Sequence, residues 1–427
     1  MIKTGQFTGN TGTPNYTQSV TGVGFQPKAI IFWSTDSLAS GSTLGTGVRG
    51  SFGFADGTNG FVMAVAEDDA AGTANNAKGF TNEAMRLFSA ATPTTDAIFT
   101  VTTLGTDGFT VTWSDSPAAA TSIIHWMAFG GNLLTNVISK QFTMTTGAGN
   151  KAYTGVGFQP DFAIFITQCQ TTLGTSVSLS FSLGMAKSSS NRYAYHASST
   201  DGVAANNPKK SMVANDRCML NLDTSGVIRL ACDFVSFDSD GFTINQITNS
   251  VSTPIFAGLF FKGGNYILGD STRPTASTNE QKTFSISGVT NPNGMLLLNP
   301  NITAFSNATI SAGYSFGIGT YGVNGGDRAM AQCCREVDAS DANRGMKTSR
   351  IYAQVSITAA NPTSLEVEGV LDSLTKDDFK ITFNPNITSG NTIFMYVVFD
   401  TGTEQPIRMR LGAVQGMINK PLFGRGW

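Results

Sequence analysis

The chain has 427 residues, of which 41% are hydrophobic and only 13% charged, about half the charged share of an ordinary soluble protein. Its 27 Lys and Arg nearly cancel 29 Asp and Glu, and the resulting net charge of −2 supplies no broad electrostatic footprint for nucleic acid. Thirty Phe in so charge-poor a chain exclude long disorder. The surface must therefore be Ser, Thr, Asn, Gln and Gly, which points to an all-β protein built for contact and durability.

In chain order, Met1-Ile2-Lys3-Thr4-Gly5-Gln6 runs straight into strand-like sequence without the apolar core of an export signal. Residues 29–33 (AIIFW) form a continuous apolar run after a Pro turn, as a buried strand reads. Residues 76–88 are the best helical candidate, but Gly79 interrupts them, so a loop with a short helical turn is expected there. Phe109-Thr110-Val111-Thr112-Trp113 alternates apolar and polar, as a half-exposed strand should, and residues 123–129 form a second apolar strand.

The same grammar then recurs. Gly24-Phe25-Gln26-Pro27 returns as Gly157-Phe158-Gln159-Pro160, an offset of 133 residues. Asp107-Gly108-Phe109-Thr110 and Gly130-Gly131 return as Asp240-Gly241-Phe242-Thr243 and Gly263-Gly264 at that same offset. A third, diverged copy aligns Ser51-Phe52-Gly53 and Ser182-Leu183-Gly184 with Ser315-Phe316-Gly317, and Arg86 and Arg217 with Arg350. Its closing strands are Asp378-Phe379-Lys380-Ile381-Thr382-Phe383 and residues 393–399, while the GFQP loop is replaced by Thr290-Asn291-Pro292-Asn293. The units fall at residues 1–134, 135–268 and 280–402, followed by a tail at 403–427. Short strands with Gly, Asn and Ser turns indicate three tandem antiparallel β-sandwiches. Apolar runs such as 29–33 and 255–261 are far below the roughly 18 residues of a membrane helix, so no membrane insertion is expected.

The run Asp107-Gly108-Phe109-Thr110-Val111-Thr112-Trp113-Ser114-Asp115, followed by Ile123-Ile124-His125-Trp126-Met127-Ala128-Phe129-Gly130, resembles the closing strands of H-type lectin domains. The GFQP-led apolar strand with its following SFG also looks like modules in structural proteins of tailed bacteriophages. These resemblances imply jelly-roll-like sandwiches with a trimeric habit, and hence three fused copies arranged as a pseudo-trimer. They further imply a virion protein made in the host cytoplasm, with other virion proteins of the capsid or tail as partners. A capsid decoration or cement role leads; a tail-fibre receptor protein binding a host-surface glycan is the alternative, and homo-oligomerisation is open. The third copy has Val397-Val398-Phe399 where the lectin pattern has Trp-aliphatic-Ala, so no sugar-binding residues carry over.

The search for chemistry is short. The two histidines do not repeat: His125 lies inside an apolar strand, and His196, in Tyr193-Ala194-Tyr195-His196, reads as an exposed strand position. No GxSxG, HExxH or GxxxxGK[ST] motif occurs. The five cysteines (169, 218, 232, 333 and 334) contain no CxxC; in the adjacent pair one thiol is expected buried and one exposed. Glu67-Asp68-Asp69 is the densest acidic run, a weak calcium candidate better read as a solvated loop. The chain is therefore expected to be no enzyme, with no cofactor and no metal. Arg86, Arg217 and Arg350 are assigned an architectural role shared by the repeats. Trp113, at a strand end, is the candidate for stacking on a glycan. The basic, apolar tail, with Arg408, Arg410, Lys420, Phe423, Arg425 and Trp427, is expected to dock on a partner or on the third unit.

Overall fold

The computed structural model describes residues 1–9, 15–36, 40–41, 44–68, 75–89, 94–115, 122–203, 209–223, 225–249, 251, 253–275, 279–305, 311–323, 325–334, 342–355, 364–385 and 391–402. Every helix or strand in these residues is a strand, and the strands build three antiparallel pairs of sheets, each pair one of seven strands and one of four.

In the first unit six of the large sheet's strands lie in the order Ile2–Thr8, Ile123–Phe129, Ala29–Ser34, Val48–Ala55, Gly60–Glu67, Asn76–Thr81. The small sheet runs Tyr16–Thr21, Gly108–Asp115, Thr95–Gly105, Met85–Phe88. Units two and three repeat this order. The apolar runs occupy the middle of the large sheets: Ala29–Ser34, Phe162–Thr167 and Gly294–Asn299 are buried at every position because both faces are covered. Residues 76–88 are two strands, not a loop with a helical turn; Gly79 is tolerated because it pairs with Ala64 on one side and Thr175 on the other. The third unit's sheet starts with Asn265–Thr272, upstream of the expected boundary at 280, since that strand pairs with Ile393–Asp400.

The seventh strand of each large sheet comes from another unit. Gly174–Val177 of unit two pairs with Asn76–Thr81 of unit one. Ser311–Ala312 of unit three pairs with Lys209–Ala214 of unit two. Gly45–Thr46 of unit one pairs with Ala342–Thr348 of unit three, and the cycle closes. The large sheets also share one core. A single buried cluster takes Trp33, Phe52 and Met63 from unit one, Phe162, Leu183 and Phe261 from unit two, and Leu298, Phe316 and Phe399 from unit three. At its centre Phe129, Phe261 and Phe399, which stand at matching places on matching strands, meet at ring separations of 5.2, 5.2 and 6.2 Å.

The other face of each large sheet packs on its own small sheet through a separate core: Phe32, Phe99, Phe109 and Trp126 in unit one, Phe165, Phe242 and Phe260 in unit two, Leu297, Phe379 and Phe394 in unit three. Glycines set how closely the layers approach, one at a matching place in each unit and, in unit three, Gly317 as well, against the Ala353 carbonyl. A Cβ on Gly53, Gly184 or Gly319 would overlap the carbonyl oxygen of Ala84, Cys218 or Ile351. These glycines face Phe32, Phe165 and Leu297 across the sheet, so the third-copy match to Ser51-Phe52-Gly53 is Gly317-Ile318-Gly319, two residues beyond Ser315-Phe316-Gly317.

Candidate functional site

The recurring loop motif is a local clamp. The Asp107 carboxylate accepts the backbone N–H groups of Gly22 (3.1 Å) and Gly24 (2.6 Å), and the Gln26 amide donates to the Leu104 carbonyl. In unit two Asp240 accepts from Gly155 and Gly157, and Gln159 donates to Phe237. These two N–H bonds hold the Asp240 carboxyl below its ordinary range. The glycines need φ near +80°, which explains their recurrence. In unit three Asp400 does similar work from the opposite side, accepting from Thr290 and Asn291.

The three arginines are not equivalent. The N–H groups of Ala84, Cys218 and Ile351 each open the short strand of the small sheet by bonding to matching carbonyls, of Phe99, Cys232 and Gly369. Arg217 and Arg350 stand one residue before that point, where unit one has Glu83; Arg86 stands two residues after it. Each guanidinium nevertheless takes a carboxylate: Arg86 with Glu83 (2.9 Å), Arg217 with Asp216 (2.8 Å), Arg350 with Glu368 (2.8 Å).

Trp113 is fully buried, contrary to the glycan-stacking expectation. Strand alternation puts it on the same face as Phe109 and Val111, where it stacks on Tyr16 and donates its indole N–H to Gln18 at 3.0 Å. His196 is also buried, against Leu220 and Leu222 beneath the large sheet, rather than exposed. Burial, with Lys78 nearby, pulls its imidazole down to about 3. Cys333 and Cys334 are both buried, because each face of their strand is covered by a different core. The tail residues Arg408, Arg410, Lys420, Phe423, Arg425 and Trp427 lie outside the described residues.

The acidic run yields the main polar centre. Glu67 is 1% exposed, not solvated. Its Oε2 accepts from the Tyr314 hydroxyl at 2.7 Å and its Oε1 from Ser199 at 3.1 Å, with the Lys209 ammonium 3.7 Å away. Asn76 completes the cluster, donating to Ser199 and accepting from the Leu179 N–H. Burial pulls the Lys209 ammonium down, Cys334 and Glu67 push it up, and the net direction is up. Glu67, Ser199 and Cys334 each end the matching strand of their unit, so three units contribute three different groups to one buried place. Asp68 instead meets Arg49 at 3.4 Å, and Asp69 is outside the described residues.

Among the described residues, two of the grooves lie between units. One, of about 290 Å³, has Thr58, Asn59, Asn82 and Thr100 of unit one facing Gln141 and Leu173 of unit two. The other, of about 430 Å³, has Gln159, Asp161, Lys187 and Phe237 facing Asn265 and Tyr266 across the second and third units. Among the described residues no group of three or more His, Cys, Asp or Glu could hold a metal ion, and no helix is long and apolar enough to cross a membrane. No protein-family model, curated protein or solved structure matches the chain.

Proposed function

We propose that the chain is a non-enzymatic structural protein of a tailed-phage virion, a pseudo-trimer fused into one chain and carried on the outer surface of the head or tail. The observation that carries this reading is the closed cycle of exchanged strands around one shared core. Such a cycle commits buried aromatic side chains such as Phe129, Phe261 and Phe399, and the buried Glu67 cluster, to holding three units together, as a module that bears mechanical force requires. The outer face of the first small sheet is neutral and hydroxyl-rich: Ser19, Thr102, Thr110 and Thr112 bond there to one another or to backbone. The tail at 403–427, with Phe423 and Trp427 as anchors, is the segment proposed to dock on a capsid or tail protein.

Quantitative mass spectrometry of the purified source particle tests this. A copy number of the order of the major capsid protein supports decoration or cement, a few to tens of copies supports the tail or a vertex, and absence from the particle refutes the reading.

The groove of about 430 Å³ supports a second reading, host-glycan recognition, because it sets the part-buried Phe237 beside amide, carboxylate and ammonium groups. A glycan array run with the native chain and Phe237→Ala decides it; equal signals from both, or none from either, refute that reading.

A further inference from the structure

Units one and two, and units two and three, are adjacent in the chain; units three and one meet only through space. Their seam is held by the Gly45–Thr46 exchange strand, by the Arg344 guanidinium donating to the carbonyls of Thr46 and Gly47, and by Thr4 donating to Gly326. Its interior is polar and incompletely paired. From unit one, Trp33 and His125 face unit three with their rings edge to face at 5.6 Å. From unit three come Arg328, its cross-strand partner Thr320, and Gln332, whose amide sits 2.5 Å from where a Cβ on Gly50 would be. Trp33 Nε1, both His125 nitrogens, Thr320 Oγ1, Arg328 Nε and Gln332 Oε1 are all buried without a hydrogen-bond partner. Orphaned buried polar groups destabilise whatever contact encloses them, so they weaken this seam against the exchange strand, the Met1 ammonium on Thr401 and Gly402, and the Tyr314–Glu67 bond that hold it.

His125 makes the seam sensitive to acid. The charged group acting on its ring is Arg328 of the other unit, and its cross-strand neighbours Gln6 and Trp33 are uncharged. Next to Arg328 in the chain, the Asp327 carboxyl is raised by burial to about 6 and accepts the Leu371 N–H of its own unit.

We propose that the contact between the first and third units is an acid-opened seam, in which protonating His125 against Arg328 parts these units while the sandwiches stay folded. The closed seam holds the imidazole near 3, chiefly by burial and then by Arg328, whereas an opened seam returns it to about 6.5. The open form therefore binds the extra proton, and from pH 7 to pH 5 the opening constant rises about 25-fold.

Hydrogen exchange on the full chain at pH 7 and pH 5, corrected for intrinsic rates, reads this directly. The amides of Gly41, Gly47 and Thr348, whose N–H groups donate across the seam, are expected to exchange about 25-fold faster at pH 5, and those of Gly108–Asp115 at an unchanged rate. Ser40→Cys with Thr348→Cys, where the native hydroxyls lie 3.1 Å apart, locks the seam when oxidised and is expected to abolish the acceleration. His125→Phe is expected to abolish it too. Should that variant fail to fold, imidazole NMR of the native chain decides, since only two histidines contribute and His196→Gln assigns them. A His125 ring titrating near its ordinary value, equal acceleration in all sheets, or acceleration that persists in the oxidised pair would each overturn the proposal.

Discussion

Replacing Lys209 by Met tests whether the buried cluster at Glu67 behaves as an ion pair or as a set of neutral hydrogen bonds. The substitution nearly preserves volume, yet it leaves the Glu67 carboxylate, 1% exposed, with only the Tyr314 and Ser199 hydroxyls as donors. Removing one partner of a buried pair costs about 3–5 kcal/mol, because the remaining charge cannot regain its hydration. Removing both charges and the tyrosine hydroxyl together, as Glu67→Leu, Lys209→Met and Tyr314→Phe, leaves no buried charge and is expected to fall no more than about 1 kcal/mol below the native chain. Urea unfolding followed by tryptophan fluorescence ranks the variants, and the order native, triple, single is the expected result. A Lys209→Met chain as stable as the native one, or a triple variant as weak as the single, would refute the reasoning. The triple variant carries a second expectation. If the cluster fixes which unit sits beside which, the apolar version keeps its stability but loses definition at the Gly174–Val177 and Ser311–Ala312 exchange strands, visible as faster hydrogen exchange there.

Three further outcomes follow from the same structure. Gly184→Ala places a Cβ on the Cys218 carbonyl and should yield insoluble chain, whereas Gly202→Ala, with φ of +73° but open space, should cost only about 1 kcal/mol in a denaturant titration. The buried His196, held near 3 when folded and near 6.5 when unfolded, binds its proton only in the unfolded chain between those values. Its stability contribution is thus complete above pH 6.5 and falls with pH toward 3, by about 2 kcal/mol at pH 5, a loss that His196→Leu should remove from the pH dependence of the unfolding midpoint. Burial raises the Cys169 thiol to about 12 and raises Cys218, Cys232 and Cys334 as well, so a chromogenic disulfide reagent at pH 8 should find almost no reactive thiol until denaturant releases five.

The repeat was legible because its markers do local work. Asp107, Gly22, Gly24 and Gln26 close one loop, and a loop that depends on two positive-φ glycines and one carboxylate tolerates few substitutions. The strands Ala29–Ser34 and Phe162–Thr167 were legible as unbroken apolar runs, since burial on both faces removes the alternation that a one-sided sheet shows. What was not legible is what couples the units. Gly45–Thr46 and Ser311–Ala312 are two residues long and made of Gly, Thr, Ser and Ala, too short for any periodicity and too polar to suggest burial. Ser315-Phe316-Gly317 imitates the marker, down to a glycine that lies against the Ala353 carbonyl, while the place facing Leu297 belongs to Gly319, two residues on. The arginines were aligned by spacing alone, which misses that Glu83 holds the place of Arg217 and Arg350. The polar residues that follow Trp113 suggest a strand end in solvent, whereas its alternation with Phe109 and Val111 turns it inward.

The cycle of exchanged strands sets an order of events during synthesis. The first unit emerges from the ribosome with Asn76–Thr81 as a bare sheet edge, and its missing neighbour, Gly174–Val177, is made about a hundred residues later. The second waits in turn for Ser311–Ala312 from the third. Only the third finds its donor, Gly45–Thr46, already made and waiting. A nascent chain therefore always exposes one adhesive edge until its last unit is complete. At high expression neighbouring nascent chains can lend each other that strand, so slow translation or cooling during production should raise the yield of correctly closed molecules over tangled ones.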